Sequence, residues 1–283
     1  MGSRTVCPAC DSGDVQPDFQ KSEFDIWKCS HCGSLFVNNT PEPNVLNSIY
    51  RTETYYELSS ESVTRIIQEN RRRLKLLKRY GAKGNILDIG CARGLLLNDA
   101  LAMGFNTYGT ELSENNVRIC LQNNHKVVKG YIDDIIDVPA DNFDVITCLD
   151  VIEHVELPIE FMSKITRLLA PEGILVISTP NYSGLVAKLL KHKDPYIIPP
   201  EHLNFFTWAG MEKIFHQSGL VVRKSATFGR LTSEEKERSI SKYFPKYLSP
   251  LGSIIKFILP GFFQGLNLLK IGIEQEFYLS LKG

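Results

Sequence analysis

The sequence predicts an α/β protein, a doubly wound parallel sheet preceded by a small module organised by cysteines. Three observations predict it. Asn85 to Leu97, NILDIGCARGLLL, joins a short β-prone apolar run to a small-residue turn and then to a helix start. Strand and helix patterns alternate from there to about residue 222. Ahead of them, Cys7-x-x-Cys10 and Cys29-x-x-Cys32 stand as two pairs separated by residues 11–28.

Composition bounds the rest. With 283 residues and 43% hydrophobic content, the chain can bury one full core and carry a small extra module. Lys+Arg and Asp+Glu both number 32, so net charge offers no general attraction to nucleic acid or to an anionic membrane. The first residues are polar and no apolar run reaches membrane-spanning length, so the expected location is cytoplasmic. In that reducing setting the seven cysteines read as thiols rather than a disulfide framework.

Residues 1–40 read as a zinc ribbon. Tetrahedral zinc takes four soft ligands, and each C-x-x-C turn delivers two thiolates from one side, so Cys7, Cys10, Cys29 and Cys32 close the sphere. His31 lies between two ligands as a solvent-facing spacer. A closed four-thiolate site is structural and has no open position for catalysis. Asn38 to Pro43 (NNTPEP) is turn-rich, and residues 41–84 form a linker and an N-terminal lid helix. Tyr50, Tyr55 and Tyr56 form part of a lid over a ligand or pack against that helix. From Glu61 to Tyr80, Val63, Ile66, Ile67, Leu74 and Leu77 recur at helical spacing, and Arg71-Arg72-Arg73 with its basic neighbours reads as a solvated face.

In NILDIGCARGLLL the spacing of small residues identifies the ligand class. A dinucleotide fingerprint needs G-x-G-x-x-G, but Ala92 and Leu95 occupy two of its positions. What remains is an acid at the strand end and D-x-G-x-x-x-G, which repels a pyrophosphate and attracts an amine. Asn106 to Thr110 is the second strand; Glu111 at its end can accept ribose hydroxyls. Lys126 to Lys129, Asn142 to Cys148, Ile174 to Ser178, Leu220 to Thr227 and Gln275 to Leu281 complete seven strands, with Leu168 to Gly173 as the helix stop and turn before the fifth. Residues 230–273 intervene before the last strand as a helical insertion. Within them, 248–271 can cap a pocket, form a homodimer face or rest on a membrane surface.

The order DIGCARG, an acid ending the second strand, FDVITCLDVIEHV, LLAPEGILVISTPN and PPEHLNFFT resembles the bacterial class I S-adenosyl-L-methionine (SAM) methyltransferases that include the ubiquinone-pathway O-methyltransferases. The resemblance covers Asn85 to Val222 and departs at Ala92, where many relatives have glycine. It implies a Rossmann-like sheet of seven strands, the last antiparallel, across 85–283. It also implies that Asp88, Gly90, Cys91 and Gly94 hold the methionine end of SAM, that Glu111 and Leu112 hold the ribose, and that Ile132, Asp133 and Leu149 surround the adenine.

Methyl transfer from a sulfonium needs alignment and, for a hydroxyl acceptor, removal of a proton. His154 and His202 fall at the carboxyl edge, where either imidazole can serve as base, and Glu153 is expected to act with them. Asp150, Glu153, His154 and a distant His202 also resemble the acid-x-x-Glu-His…His set with which small-RNA 3′-terminal 2′-O-methyltransferases hold a divalent ion, magnesium in this expectation. Here the first acid is Asp rather than Glu, and Glu153 can instead cap a helix. The expected activity is O-methylation of a small molecule or saccharide. RNA methylation through the ribbon, and a non-catalytic SAM-binding or zinc-mediated interaction module, are the competing readings; nucleic acid is disfavoured by net neutrality.

Overall fold

The structure is a computed structural model that describes residues 2–42, 45–46, 48, 59–135, 139, 142–228, 269 and 271–283. The N-terminal region contributes β1 (Gly2–Ser3), β2 (Val15–Lys21), β3 (Phe24–Cys29), β4 (Leu35–Val37) and β5 (Asn39–Thr40). Helix α1 (Ser60–Arg79) leads into β6 (Asn85–Ile89), α2 (Leu95–Ala102), β7 (Asn106–Glu111), α3 (Glu114–Gln122) and β8 (Lys126–Lys129). Next come β9 (Phe143–Leu149), α4 (Pro158–Leu168), β10 (Leu169–Pro180) and α5 (Leu185–Leu190). The last elements are β11 (Asn204–Phe205), α6 (Trp208–Gln217), β12 (Leu220–Phe228) and β13 (Glu274–Leu281).

Seven strands form one sheet in the order β12-β13-β10-β9-β6-β7-β8. β6 pairs parallel with both β7 and β9, and β13 runs antiparallel to β10 and β12, as expected. The chain builds outward from β6 through β7 to β8, then restarts on the other side with β9. Strand order therefore reverses between β6 and β9, and a crevice opens beyond their carboxyl ends. Ile86, Leu87, Val145, Ile146, Leu175, Val176 and Ile177 are all fully buried, because strands covered on both faces must be apolar at successive positions. One boundary differs from the sequence reading. α4 stops at Leu168 without a separate turn; Leu169 already pairs with Phe143, and a register shift up to Ile174 absorbs Ala170 to Gly173.

Ser59 caps α1 by accepting from the Ser62 N–H, and Leu74 and Leu77 fill its inner face. Its arginine run is not simply solvated. Arg73 is buried, and its Nε donates to Glu276 of β13, while Arg72 donates to the same carboxylate at 2.8 Å and Arg71 to Asp99 at 2.9 Å. Burial alone would push the Glu276 carboxyl up, but the two guanidinium groups hold it below the usual carboxylate range.

The N-terminal module is not self-contained. Its sheet has the order β11-β4-β3-β2, so residues beyond 200 supply an edge strand, with Asn204 opposite Phe36 and Phe205 opposite Leu35. Cys7, Cys10, Cys29, Cys32 and Phe36 lie in the same apolar cluster as Phe206, Met211 and Phe215. Among the described residues no helix is long and apolar enough to cross a membrane. Tyr50, Tyr55 and Tyr56 lie outside the described residues, as does the 230–273 insertion apart from Leu269 and Ile271–Ile273.

Removing one member of a buried ion pair leaves the other charge without compensation. Arg73→Ala is expected to lower unfolding free energy by about 3–5 kcal/mol, measured by urea denaturation. A loss below about 1 kcal/mol would show that Arg72 alone satisfies Glu276.

Candidate active site

The crevice is lined at one end by strand tips. Asp88 is 5% exposed, and its Oδ1 accepts from the Thr147 hydroxyl at 2.6 Å. Burial pushes the Asp88 carboxyl up to about 7, against the pull of Thr147 and of the Arg73 charge. β6 ends at Gly90, whose φ is +70°, and a Cβ there would come within 2.8 Å of Val151 Cγ2. The turn after β9 thus presses directly on the glycine, and both the backbone conformation and the lack of a side chain are needed.

The same turn is tied to β7. Gly90 and Cys91 donate their N–H groups to Thr110 O at 2.9 and 3.0 Å. The Glu111 carboxylate accepts from Ala92 N at 2.8 Å on Oε2, and from Leu112 N and Ser113 N at 2.9 and 2.8 Å on Oε1. Oε2 keeps a lone pair for a further donor. Gly94, with φ +72°, delivers the chain into α2. Ile132 is buried in a short turn, whereas Asp133 is exposed and paired with Lys164 at 2.5 Å. Leu112 and Leu149 are partly exposed beside the strand ends, and Cys91 is buried with its Sγ 4.0 Å from that of Cys120.

At the other end, β9 runs into a single helical turn, Ile152–His154. Glu153 is 1% exposed and its Oε2 accepts from Thr179 Oγ1 at 3.0 Å. Burial, and then the charge of Asp150, push its carboxyl well above the ordinary range. His154 Nδ1 donates to Glu201 O at 2.6 Å, and the backbone of Asp150 also bears on this ring. His202 Nδ1 donates to Tyr196 O at 2.8 Å. A carbonyl only accepts, so His202 carries its proton on Nδ1 and presents Nε2 as its basic nitrogen. The two rings meet edge to face, with centroids 4.7 Å apart. Burial and the adjacent His154 hold His202 down to about 3, so it is neutral at physiological pH.

One ligand atom from each of Glu153, His154 and His202 lies within 4.8 Å of the others. Donors on one ion at about 2.1 Å sit roughly 3–4 Å apart, so a small side-chain closure brings the three together. Asp150, expected among them, is not part of this group; its Oδ1 accepts from Ser178 Oγ at 3.1 Å. Two imidazoles and one carboxylate suit manganese, iron or zinc better than magnesium, which prefers oxygen ligands.

The four N-terminal cysteines are buried free thiols, and all four Sγ atoms lie within 4.8 Å of one another. Cys7–Cys32 and Cys10–Cys29 sulfurs are each 3.6 Å apart. A tetrahedron with Zn–S bonds of about 2.3 Å has edges of roughly 3.8 Å, so the donors fit that ion. The residue after each pair, Asp11 and Gly33, has positive φ, and the Cys32 N–H donates to Cys29 Sγ at 3.5 Å. His31 is exposed, as a spacer should be.

The sequence pattern of the family described as "Methyltransferase domain" matches residues 61–225, more than half of the chain. The chain belongs to that family. Over 102 residues this chain is 37% identical to the ubiquinone biosynthesis O-methyltransferase of Rickettsia bellii (strain OSU 85-389), covering 34% of the chain and 42% of the relative. The corresponding protein of Caulobacter sp. (strain K31) is 30% identical over 126 residues, 41% of the chain and 49% of the relative. The matches thus span less than half the length of these curated relatives. Among solved structures, a SAM-dependent methyltransferase from Archaeoglobus fulgidus aligns with a TM-score of 0.51 at 21% identity, over 75% of this chain and 93% of its own. Phosphoethanolamine N-methyltransferase 2 of Haemonchus contortus, solved with SAM, aligns at 0.54 and 16% identity, over 93% of this chain and 70% of its own. At such identities the likeness is one of fold, the class I SAM-dependent methyltransferase architecture.

Several residues of this candidate site carry no motif. Thr147 pairs in register with Asp88, so aligning β9 against β6 would have found it. Thr179 and the carbonyls of Tyr196 and Glu201 have no such signal, because they act through tertiary contact alone.

Ala92 has φ +46°, a left-handed conformation that penalises a Cβ. Ala92→Gly is expected to raise stability by about 0.5–1 kcal/mol, read as a higher melting temperature in calorimetry; a lower one would mean the turn is relaxed as it stands.

Proposed function

We propose that this methyltransferase transfers the methyl group of SAM to a hydroxyl of a small molecule, saccharides included. The observation that carries the reading is the convergence of Glu153, His154 and His202 at the carboxyl edge, beside the turn that closes on Gly90. A buried carboxylate facing the crevice at Asp88 suits the ammonium of SAM, and Glu111 Oε2 suits a ribose hydroxyl. SAM supplies an already activated methyl. The C–S bond breaks as the C–O bond forms, and the hydroxyl proton must leave.

His202 Nε2 accepts a hydrogen bond from the hydroxyl in this reading, with Glu153 and His154 orienting it, and the proton passes on to solvent as the C–O bond forms. Where a divalent ion is held by the same three residues, His202 Nε2 would be its ligand instead, the ion would lower the hydroxyl pKa and the proton would pass to solvent. Oxygen rather than nitrogen is favoured by this cluster and by the relatives' name as ubiquinone biosynthesis O-methyltransferases. Use of Arg71, Arg72 and Arg73 in internal ion pairs counts against an RNA-binding face on α1. The four N-terminal cysteines hold structural zinc.

Release of S-adenosylhomocysteine from SAM, with catechols and monosaccharides as acceptors, tests the assignment. His202→Ala is expected to reduce turnover between about 10²- and 10⁴-fold while SAM affinity stays within threefold. Unchanged turnover would remove His202 from the chemistry. Tight SAM binding with no release on any acceptor would favour a non-catalytic module.

Asp88 gives a pH signature. Its pKa of about 7 lies above the usual carboxylate value, so it is neutral below that pH and ionised above it. If only the ionised form attracts the SAM ammonium, affinity rises about eightfold between about pH 6 and pH 7.5. Calorimetry should show this rise in the native chain and a flat profile in Asp88→Asn; a rise in both would place the titrating group elsewhere.

A further inference from the structure

We propose that the cysteine ribbon is a positioning element for the acceptor side of the active site, acting through Arg4, Asn204 and Thr207. The inference rests on the reading of Glu153, His154 and His202 as that site.

The two histidines come from separate segments, so something must fix one segment against the other. His202 is held within its own segment, by Tyr196 O at its ring and Ile198 O at its N–H. Those bonds move with the segment and say nothing about its distance from Glu153. The link across begins at Glu201, whose carbonyl accepts from His154 Nδ1 at 2.6 Å, and it is carried on to the ribbon by Leu203. Leu203 N–H donates to Glu153 O at 2.9 Å, and Leu203 O accepts from Val37 N of the ribbon at 2.9 Å. One residue therefore bridges the ribbon and the turn that carries Glu153 and His154.

Asn204 repeats the bridge with its side chain. Fully buried, it donates through Nδ2 to Val155 O at 2.7 Å and to Glu153 O at 3.4 Å, and accepts on Oδ1 from Arg4 Nη1 at 2.8 Å. Arg4 Nη2 reaches on to Glu156 O at 3.0 Å, so the N-terminal arm grips both segments at once. Thr207 then ties the end of the segment to the cysteine site. Its Oγ1 donates to the carbonyl of Cys32 at 2.7 Å, its N–H donates to Ser34 Oγ at 3.2 Å, and the same Oγ1 caps α6 through Gly210 N. Phe206 O is separately held by Tyr182 and Gln275 of the methyltransferase core. The ribbon's polar grip thus falls on the stretch around His202 and on the turn after His154, with Lys21 Nζ donating to Asp194 O and Thr40 Oγ1 to Glu156.

The arrangement separates the two halves of the crevice. Asp88, Gly90 and Glu111 are braced by Thr147, Thr110 and backbone N–H groups, none of which belongs to the ribbon. Weakening the ribbon's grip should disturb the histidines and spare the SAM end.

The test uses the full chain with Arg4→Ala and Asn204→Ala, neither of which alters Glu153, His154 or His202. Three properties are measured: amide exchange at Leu203, the ¹⁵N imidazole signals of the two histidines, and SAM affinity by calorimetry. Expected are Leu203 exchange faster by tenfold or more, shifted ¹⁵N signals of both histidines with the Nδ1–H tautomer of His202 retained, and SAM affinity within threefold of the native chain. Manganese titration is expected to show at least tenfold weaker binding in the variants. If Asn204→Ala fails to fold, Arg4→Ala alone decides. Unchanged Leu203 exchange and unchanged histidine signals would overturn the proposal, as would a parallel loss of SAM affinity. A native chain that ignores manganese, with variants whose histidine signals shift, would sink the ion-site reading and leave the positioning role supported.

Discussion

The parallel register between β6 and β9 is the constraint on which the rest of the crevice depends. It sets Asp88 opposite Thr147 at the point where strand order reverses, so a carboxylate is buried at the tip of a strand with one hydroxyl beside it. The same register decides where β9 ends, and hence where Val151 lands on Gly90 and where Glu153 and His154 emerge. A slip of one residue would turn Asp88 to the other face of the sheet and separate both ends of the crevice. The apolar runs of the two strands pin that register, since Ile86 to Ile89 and Val145 to Cys148 are all buried.

Apart from Asp194, the buried acids among the described residues fall into two groups, distinguished by what compensates them. Glu276 is met by two guanidinium groups, and Glu111 by three backbone N–H donors. Asp88 and Glu153 have one hydroxyl each, from Thr147 and Thr179, and both carboxyls are pushed upward. The under-compensated pair lines the crevice, whereas the well-compensated pair holds helix and turn in place. Such a distribution is what a site prepared for a positive group or an ion requires, because the ligand supplies the missing charge. Stability forgone at Asp88 and Glu153 is offset elsewhere, Arg73 and Glu276 being one place where the fold is reinforced.

Much of this was legible beforehand because it is local. Seven strands, their order of appearance and the glycine turn are all written in short windows of period and small residues, and the cysteine spacing is a local signature as well. What could not be read is what joins windows. Arg73 looks like its neighbours Arg71 and Arg72 in a basic run, yet it alone is buried, and only the arrival of β13 from the far end of the chain gives it Glu276. Asp150 stands in the right spacing to join Glu153 and His154, but a left-handed backbone at φ +55° turns that residue towards Ser178 instead. Likewise, nothing around Asn204 in the sequence announces that it completes a sheet begun at residue 15.

That shared sheet bears on what the ribbon is for. Residues 1–40 are too few to bury a core of their own, so the module depends on its cysteine cluster and on whatever it packs against. A ribbon used to capture another chain would keep a strand edge open or stand apart on its linker. Here one edge is filled by β11, and the other, β2, carries a register break between Pro17 and Phe19 that spoils it for pairing. Its cysteines share an apolar cluster with Phe206 and Met211, so its inner face is also committed. With one edge and one face engaged inside the molecule and the other edge broken in register, the strongest physical claim on the ribbon is internal, on the segment that carries His202.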